Sequence, residues 1–244
     1  MASDANVGAR TRSPALREVA RVVELWRYPV KSMAGELLNN VDVAWNGVAG
    51  DRRWAFVREG QERNGFPWLT IRERAEMWRY RPSFVDPDRP DTSPTMVRTP
   101  SGVEFDVVDP TLANELLTGT RVIRQKRGIF DTMPLSLISA QSVGGLSRLA
   151  GVELSALRFR PNVVVEALDE VEFPEDAWVA SVLRIGGLRT RIDQRDQRCV
   201  TINVDPETTS RNSEVAAIVS VKGAVPNAPR TARRPRHRLQ SLPA

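Results

Sequence analysis

What most constrains this chain is its punctuation. Short runs rich in β-branched and aromatic residues recur between Gly, Pro, Asn and Asp turns, and few stretches suit a helix. "VARVVELWRYPV" (19–30), "NNVDVAW", "RRWAFVRE", "PWLTIRE" and "EMWRYRPSFV" each read as strand. "TMVRTPSGVEFDVVD" reads as a hairpin, and "TRVIRQKRG", "LRFRPNVVVEA", "SVLRIGG", "LRTRID" and "RCVTINVD" as further strands. Only "PTLANELLTG" (110–119) and "SAQSVGGLSRLAG" (139–151) carry helix start and stop signals. Such a pattern predicts a mainly β (α+β) chain of closed or sandwiched sheets with a few short helices.

Composition removes several function classes. The single cysteine, Cys199, excludes an intrachain disulfide and any multi-cysteine zinc or iron–sulfur site. The single histidine, His237, lies in an Arg-rich segment that nothing is expected to hold, which argues against Ser-His-Asp, Cys-His and histidine-metal chemistry. No run of 18 apolar residues and no signal-peptide pattern is present, so the expected location is the cytoplasm, with no membrane partner. The net charge of +5 is carried by residues 221–244, where six basic side chains stand with no acidic one; nucleic acid is therefore not an expected partner of the folded part. Residues 1–18 read as a flexible leader and 222–244 as a disordered basic tail.

Strand alternation offers a first test of the polar residues. In "RCVTINVD", Cys199 falls with Thr201 and Asn203, opposite Val200, Ile202 and Val204. Cys199 is then either an inert buried thiol or a group facing a polar pocket. In "FRPNVVV", Arg160 and Asn162 share a face, which suits a structural ion pair or a ligand site. Lys31 and Ser32 in "YPVKSMAGE", with Gly35 read as the residue that lets the backbone turn, and Arg52 in "GDRRW" suit an anion, or are ordinary surface groups.

In order, "LWRYPVKSMAGE", "GDRRWAFV", "FRPNVVV", "FPEDAW", "LRIGGLR" and "RCVTINVDPET" resemble proteins that have an N-terminal MOSC β-barrel domain (here 19–127) followed by a MOSC domain (here 128–221). That family includes the mitochondrial amidoxime reducing component and the C-terminal part of molybdenum cofactor sulfurase. The resemblance implies a molybdenum cofactor (molybdopterin) as the bound group, with Cys199 as a molybdenum ligand and the catalytic residue. It places Lys31, Ser32, Arg52, Thr132, Arg160, Asn162 and Arg198 on the cofactor, with Asp131 beside Thr132. The implied activity is reduction of small N-hydroxylated substrates with electrons from an external electron-transfer protein. A non-redox role, with Cys199 carrying a persulfide, is the alternative, and a damaged paralogue the dullest. Relatives often carry a second cysteine where Asp196 stands and a serine where Met133 stands. They also continue to a last strand, which the basic tail replaces here; the closing strand is expected to be missing.

Overall fold

The computed structural model describes residues 16–196, 198–222, 225–228 and 237–240. They form sixteen short strands, three α-helices and four 3-10 turns. The expected strand-rich architecture with few helices is what is found. The central element is a six-stranded sheet, in the order Gln194–Asp196, Val225–Ala228, Leu135–Ser139, Val163–Ala167, Ala20–Arg27, Glu36–Leu38. Its register joins distant parts of the sequence: Ala20–Arg27 runs antiparallel to Val163–Ala167, with a bulge between Val22 and Glu24. Leu135–Ser139 pairs in parallel with Val163–Ala167. Four smaller sheets of two or three strands complete the β-structure.

Three apolar cores hold these layers together. One, around Tyr28, Phe56, Met77, Trp78 and Leu112, lies in the first half of the sequence and reaches Val204. A second, around Leu25, Val43, Leu135, Val163 and Trp178, packs beneath the central sheet. A third packs the helix Ala140–Ala150 and the helix Ser213–Lys222 on Ile138, Phe159 and Ile202. Of the two helices read from sequence, the second has the expected ends, and the first stops at Leu116, short of the expected Gly119. Pro110–Leu116 starts on an Asp109 cap, and Ala140–Ala150 starts on Ser139 and stops at Gly151, whose φ of 64° is left-handed.

Several expectations are corrected. Of "PWLTIRE" only Trp68 pairs, in an isolated bridge with Val57, and residues 71–73 form a turn; Ala75–Arg79 is a 3-10 turn before the strand Arg81–Phe84. "RCVTINVD" is not a strand: Val200–Asn203 is a 3-10 turn capped by Cys199. The alternation argument therefore fails there, and Val200 is 53% exposed while Ile202 and Val204 are buried. Ser213–Lys222 is a helix that no sequence signal identified, with Asn212 Oδ1 accepting from the Glu214 N–H. Gly35 serves close approach, not turning: a Cβ there would lie 2.6 Å from the Tyr28 ring.

The segment 222–244, expected to be a disordered tail with the closing strand missing, contributes two strands. Val225–Ala228 inserts between Leu135–Ser139 and Gln194–Asp196. His237–Gln240 pairs with Asn40–Ala44. Backbone pairing at otherwise open sheet edges outweighs the polar composition that suggested disorder. Most of the expected leader, residues 1–15, and the remaining tail residues lie outside the described residues. Among the described residues no helix is long and apolar enough to cross a membrane.

Candidate functional site

A cavity of about 170 Å³ opens where the N-terminal segments meet the loops that follow residue 128. Seven of the eight residues expected on a cofactor line it: Lys31, Ser32, Arg52, Thr132, Arg160, Arg198 and Cys199. Three of them sit in left-handed backbone that side chains rarely adopt, with φ of 69° at Ser32, 48° at Arg52 and 51° at Arg160. Such geometry persists only where the surroundings fix it. Here the Arg52 N–H donates to Tyr28 O at 2.6 Å, and the Arg160 N–H donates to Leu157 O at 2.9 Å.

The basic end of the cavity is preformed. Arg52 donates to the buried Asp51 carboxylate through NH1 and to Arg160 O through NH2 at 3.0 Å. Its guanidinium lies 4.8 Å from the Tyr28 ring centre. Arg160 donates to Met33 O at 2.7 Å and stacks on Tyr28 and Trp78, at 4.2 and 4.6 Å. Its other terminal nitrogen is buried with no acceptor among the described residues. Burial, and the nearby Arg52 charge, push Arg160 down to about 10. Lys31 is 7% exposed and its Nζ lies 2.5 Å from Asp131 Oδ1. Burial lowers the Lys31 pKa against the opposing pull of Asp131.

At the other end stands Cys199, partly buried, with Sγ 3.0 Å from Thr201 Oγ1 and 3.3 Å from Arg72 NH2. Burial alone would raise its pKa; the Thr201 and Arg72 hydrogen bonds outweigh burial and hold the thiol below its usual value. Arg72 also reaches Asp131 Oδ2 at 3.4 Å, so one chain of polar contacts runs from Lys31 through Asp131 and Arg72 to Cys199. Burial raises Asp131, but Lys31 and Arg72 more than offset this and keep the carboxylate below its usual range. Arg198 pairs with Asp196 at 2.7 Å and donates to Phe159 O at 3.0 Å; its Nε is buried without an acceptor among the described residues.

One expected site residue is displaced. Asn162 is 1% exposed and does not line the cavity. It does not share a strand face with Arg160, because the chain turns at Arg160 before the strand Val163–Ala167 begins. Its Nδ2 donates to Trp26 O at 3.1 Å, and its Oδ1 accepts from Ser136 N at 3.2 Å and from Arg52 NH1 at 3.5 Å. Asn162 thus ties two strand ends to the Arg52 loop and acts through Arg52.

Arg72, Arg158 and Thr201 line the cavity without having been singled out in the sequence. Arg72 lies in "TIRE", where nothing distinguishes it from a surface charge, and meets Cys199 only through a contact spanning 127 positions. Arg158 is 6% exposed, pairs with Asp205 at 2.6 Å and donates to Ile202 O, so it holds the turn that carries Cys199. Among the described residues no group of three or more His, Cys, Asp and Glu side chains could hold a metal. A metal here would depend on Cys199 and on ligands that arrive with it. The donor set suits such a guest: a soft sulfur ligand at one end, and at the other three cations, one of which, Arg160, keeps an unpaired buried N–H for an anion.

Comparison with known proteins gives the family. The family described as the MOSC N-terminal beta barrel domain matches residues 19–119, and that described as the MOSC domain matches residues 124–231. Mitochondrial amidoxime-reducing component 1 of Danio rerio is 37% identical over 78 residues, 32% of this chain and 23% of that protein. Its Homo sapiens namesake is 29% identical over 99 residues, 40% of this chain and 28% of that protein. The chain thus matches about a quarter of the length of these curated relatives. The crystal structure of the YUAD protein from Bacillus subtilis aligns over 93% of both chains, with 13% identity and a TM-score of 0.45. With two adjoining domain matches covering most of its length, the chain is a MOSC domain protein with an N-terminal MOSC β-barrel domain.

Proposed function

We propose that the cavity holds a molybdenum cofactor and that the protein is an oxidoreductase, reducing small N-hydroxylated substrates with electrons from an external electron-transfer protein. The observation that carries this reading is the joining, in one cavity, of the only thiol of the chain with a preformed cationic end. Bound there, the cofactor supplies the two-electron redox chemistry that the side chains lack. The chain's own part is binding and orientation. Cys199, kept toward its thiolate by Thr201 and Arg72, offers a soft ligand. Lys31, Arg52 and Arg160 offer cations for a phosphate, with Ser32 and Thr132 as hydroxyl donors. Asn162 keeps Arg52 in place from behind.

The test uses the full chain, expressed with ample cofactor. Expected are about one molybdenum per chain, on the single-thiol argument, and oxidation of a reduced viologen dye when a hydroxylamine is added. A chain that stays free of molybdenum under these conditions overturns the reading.

A further inference from the structure

A second cavity, of about 520 Å³, lies close to the first and is not used by the proposed reaction. Trp26 and Trp78 line it on the apolar side, with Ala34, Gly35 and Leu157. Arg79, Arg81 and Arg98 line it on the polar side. Its far wall, Pro206 and Glu207, comes from the segment after the Cys199 turn, so both halves of the sequence build it.

The arginines are placed against their own interest. Arg81 and Arg98 are direct cross-strand partners in the hairpin Arg81–Phe84/Thr95–Arg98, and like charges in that position repel. Among the described residues no acidic group lies within salt-bridge distance of Arg79, Arg81 or Arg98, and no side chain of the three donates a hydrogen bond. Glu104 faces Arg98 from the neighbouring strand without forming an ion pair, and Glu207 is the one acid of the lining. Positive charge therefore exceeds negative here. The aromatic side also has an unmet need: Trp78 is 3% exposed, and its indole N–H is buried with no acceptor among the described residues. Leaving a donor of this kind unpaired is unfavourable.

Indole faces and guanidinium forks converge on one ligand chemistry. We propose that this cavity is a second binding site, for a small planar aromatic ligand that carries a phosphate or carboxylate. The ring stacks on the partly exposed Trp26 and the anion is held by Arg81 and Arg98, with Arg79 adding charge. Because Trp78 also stacks on Arg160 of the first cavity, occupancy here bears on the side chain assigned to the cofactor's phosphate. The site itself does not depend on that assignment.

Phenyl phosphate serves as the probe, with inorganic phosphate and phenol as its separated halves. The readout is the set of indole N–H signals in a heteronuclear correlation spectrum of the full chain, that of Trp78 being assigned by Trp78→Phe. Phenyl phosphate is expected to shift the Trp26 and Trp78 signals saturably and to bind about tenfold or more tighter than either half, since stacking and charge-assisted hydrogen bonds add. The double variant Arg81→Gln/Arg98→Gln should weaken binding by about tenfold or more. Arg184→Gln, an exposed change elsewhere, should not. Both altered arginines are exposed, so the variant is expected to keep the native circular dichroism. Unmoved indole signals overturn the proposal. So does an unchanged response in the double variant, which would place the probe in the first cavity. Equal affinity for inorganic phosphate overturns the aromatic half.

Discussion

Trp78 touches one group of cations through Arg160 and lines the cavity of another, and the two groups differ in how they are held. Lys31, Arg52 and Arg160 are fixed: two of them lie in left-handed backbone, their side chains stack on Tyr28 or bond to main-chain oxygens, and burial depresses both Lys31 and Arg160. Arg79, Arg81 and Arg98 are exposed and free of such contacts. Burying charge is unfavourable unless an opposite charge answers it. A fixed, half-desolvated group gains most from an anion, suffers little from screening and has a shape that selects its guest. A solvated group binds loosely, responds to salt and relies on its aromatic neighbours for selectivity.

The largest expected effect sharpens the chemical identity of the fixed site. Cys199→Ala should lower the proposed reductase turnover by more than ~100-fold, the least expected if Cys199 is a metal ligand. The unfolding midpoint should hardly move, because Cys199 caps a turn at the cavity and belongs to none of the three apolar cores. Turnover that survives the change removes Cys199 from the site.

Next comes a matched pair that could break the contrast. Arg160→Ala should weaken cofactor retention by roughly 10–100-fold, about 1.5–3 kcal/mol for a charge-assisted hydrogen bond. Arg98→Ala should leave the molybdenum content of the purified chain unchanged. If both changes lower it equally, the two cation groups form one continuous site and the distinction is wrong.

How much of this was legible in the sequence follows from the range of the contacts. Lys31, Ser32 and Arg52 follow Pro29 or Gly50 closely, which left them open between an anion site and ordinary surface groups; the family resemblance put them on the cofactor, and the structure places all three on the cavity. Helix Ala140–Ala150 was legible from Ser139 and Gly151 at its ends. Asn162 was misplaced because strand alternation was applied across Arg160, where a left-handed residue resets the faces. Strand alternation left Cys199 open between a buried thiol and a pocket group, and it was applied to a segment that is a 3-10 turn; the resemblance alone put Cys199 in the site. Arg72 and the strand Val225–Ala228 were invisible because their partners lie far away in sequence.

A smaller effect is expected from the C-terminal strand. Val225–Ala228 braces Gln194–Asp196, which leads directly into Arg198 and Cys199. Ending the chain after Lys222 should lower the melting temperature by about 2–8 °C, or ~1–2 kcal/mol for a domain of this size. The loss should fall on one site only. Molybdenum content should drop, while phenyl phosphate binding at the Trp78 cavity should persist, since Pro206 and Glu207 remain. A truncated chain with unchanged melting and full molybdenum would show that this strand supports neither site.

The smallest effect concerns the thiol. In the metal-free chain, Thr201 and Arg72 hold Cys199 below the usual thiol pKa despite its burial. A depressed acid contributes stability above its unfolded-state pKa, and this contribution fades as pH falls through the folded-state value. Arg72→Gln removes the charged donor but keeps a side chain able to hydrogen-bond. The pH midpoint for alkylation of Cys199 by iodoacetamide should therefore move up, and the rate near neutral pH should fall. At strongly alkaline pH, where the thiolate forms regardless, variant and parent should react alike. That convergence separates an electrostatic role from steric shielding, because a shielding residue alters the rate at every pH. Arg72 also binds Asp131, so the same variant frees that carboxylate to lean wholly on Lys31. Phenyl phosphate binding beside Trp78 should not respond, since Arg72 lines only the first cavity. A response there would mean that the two cavities communicate through more than the Arg160–Trp78 stack.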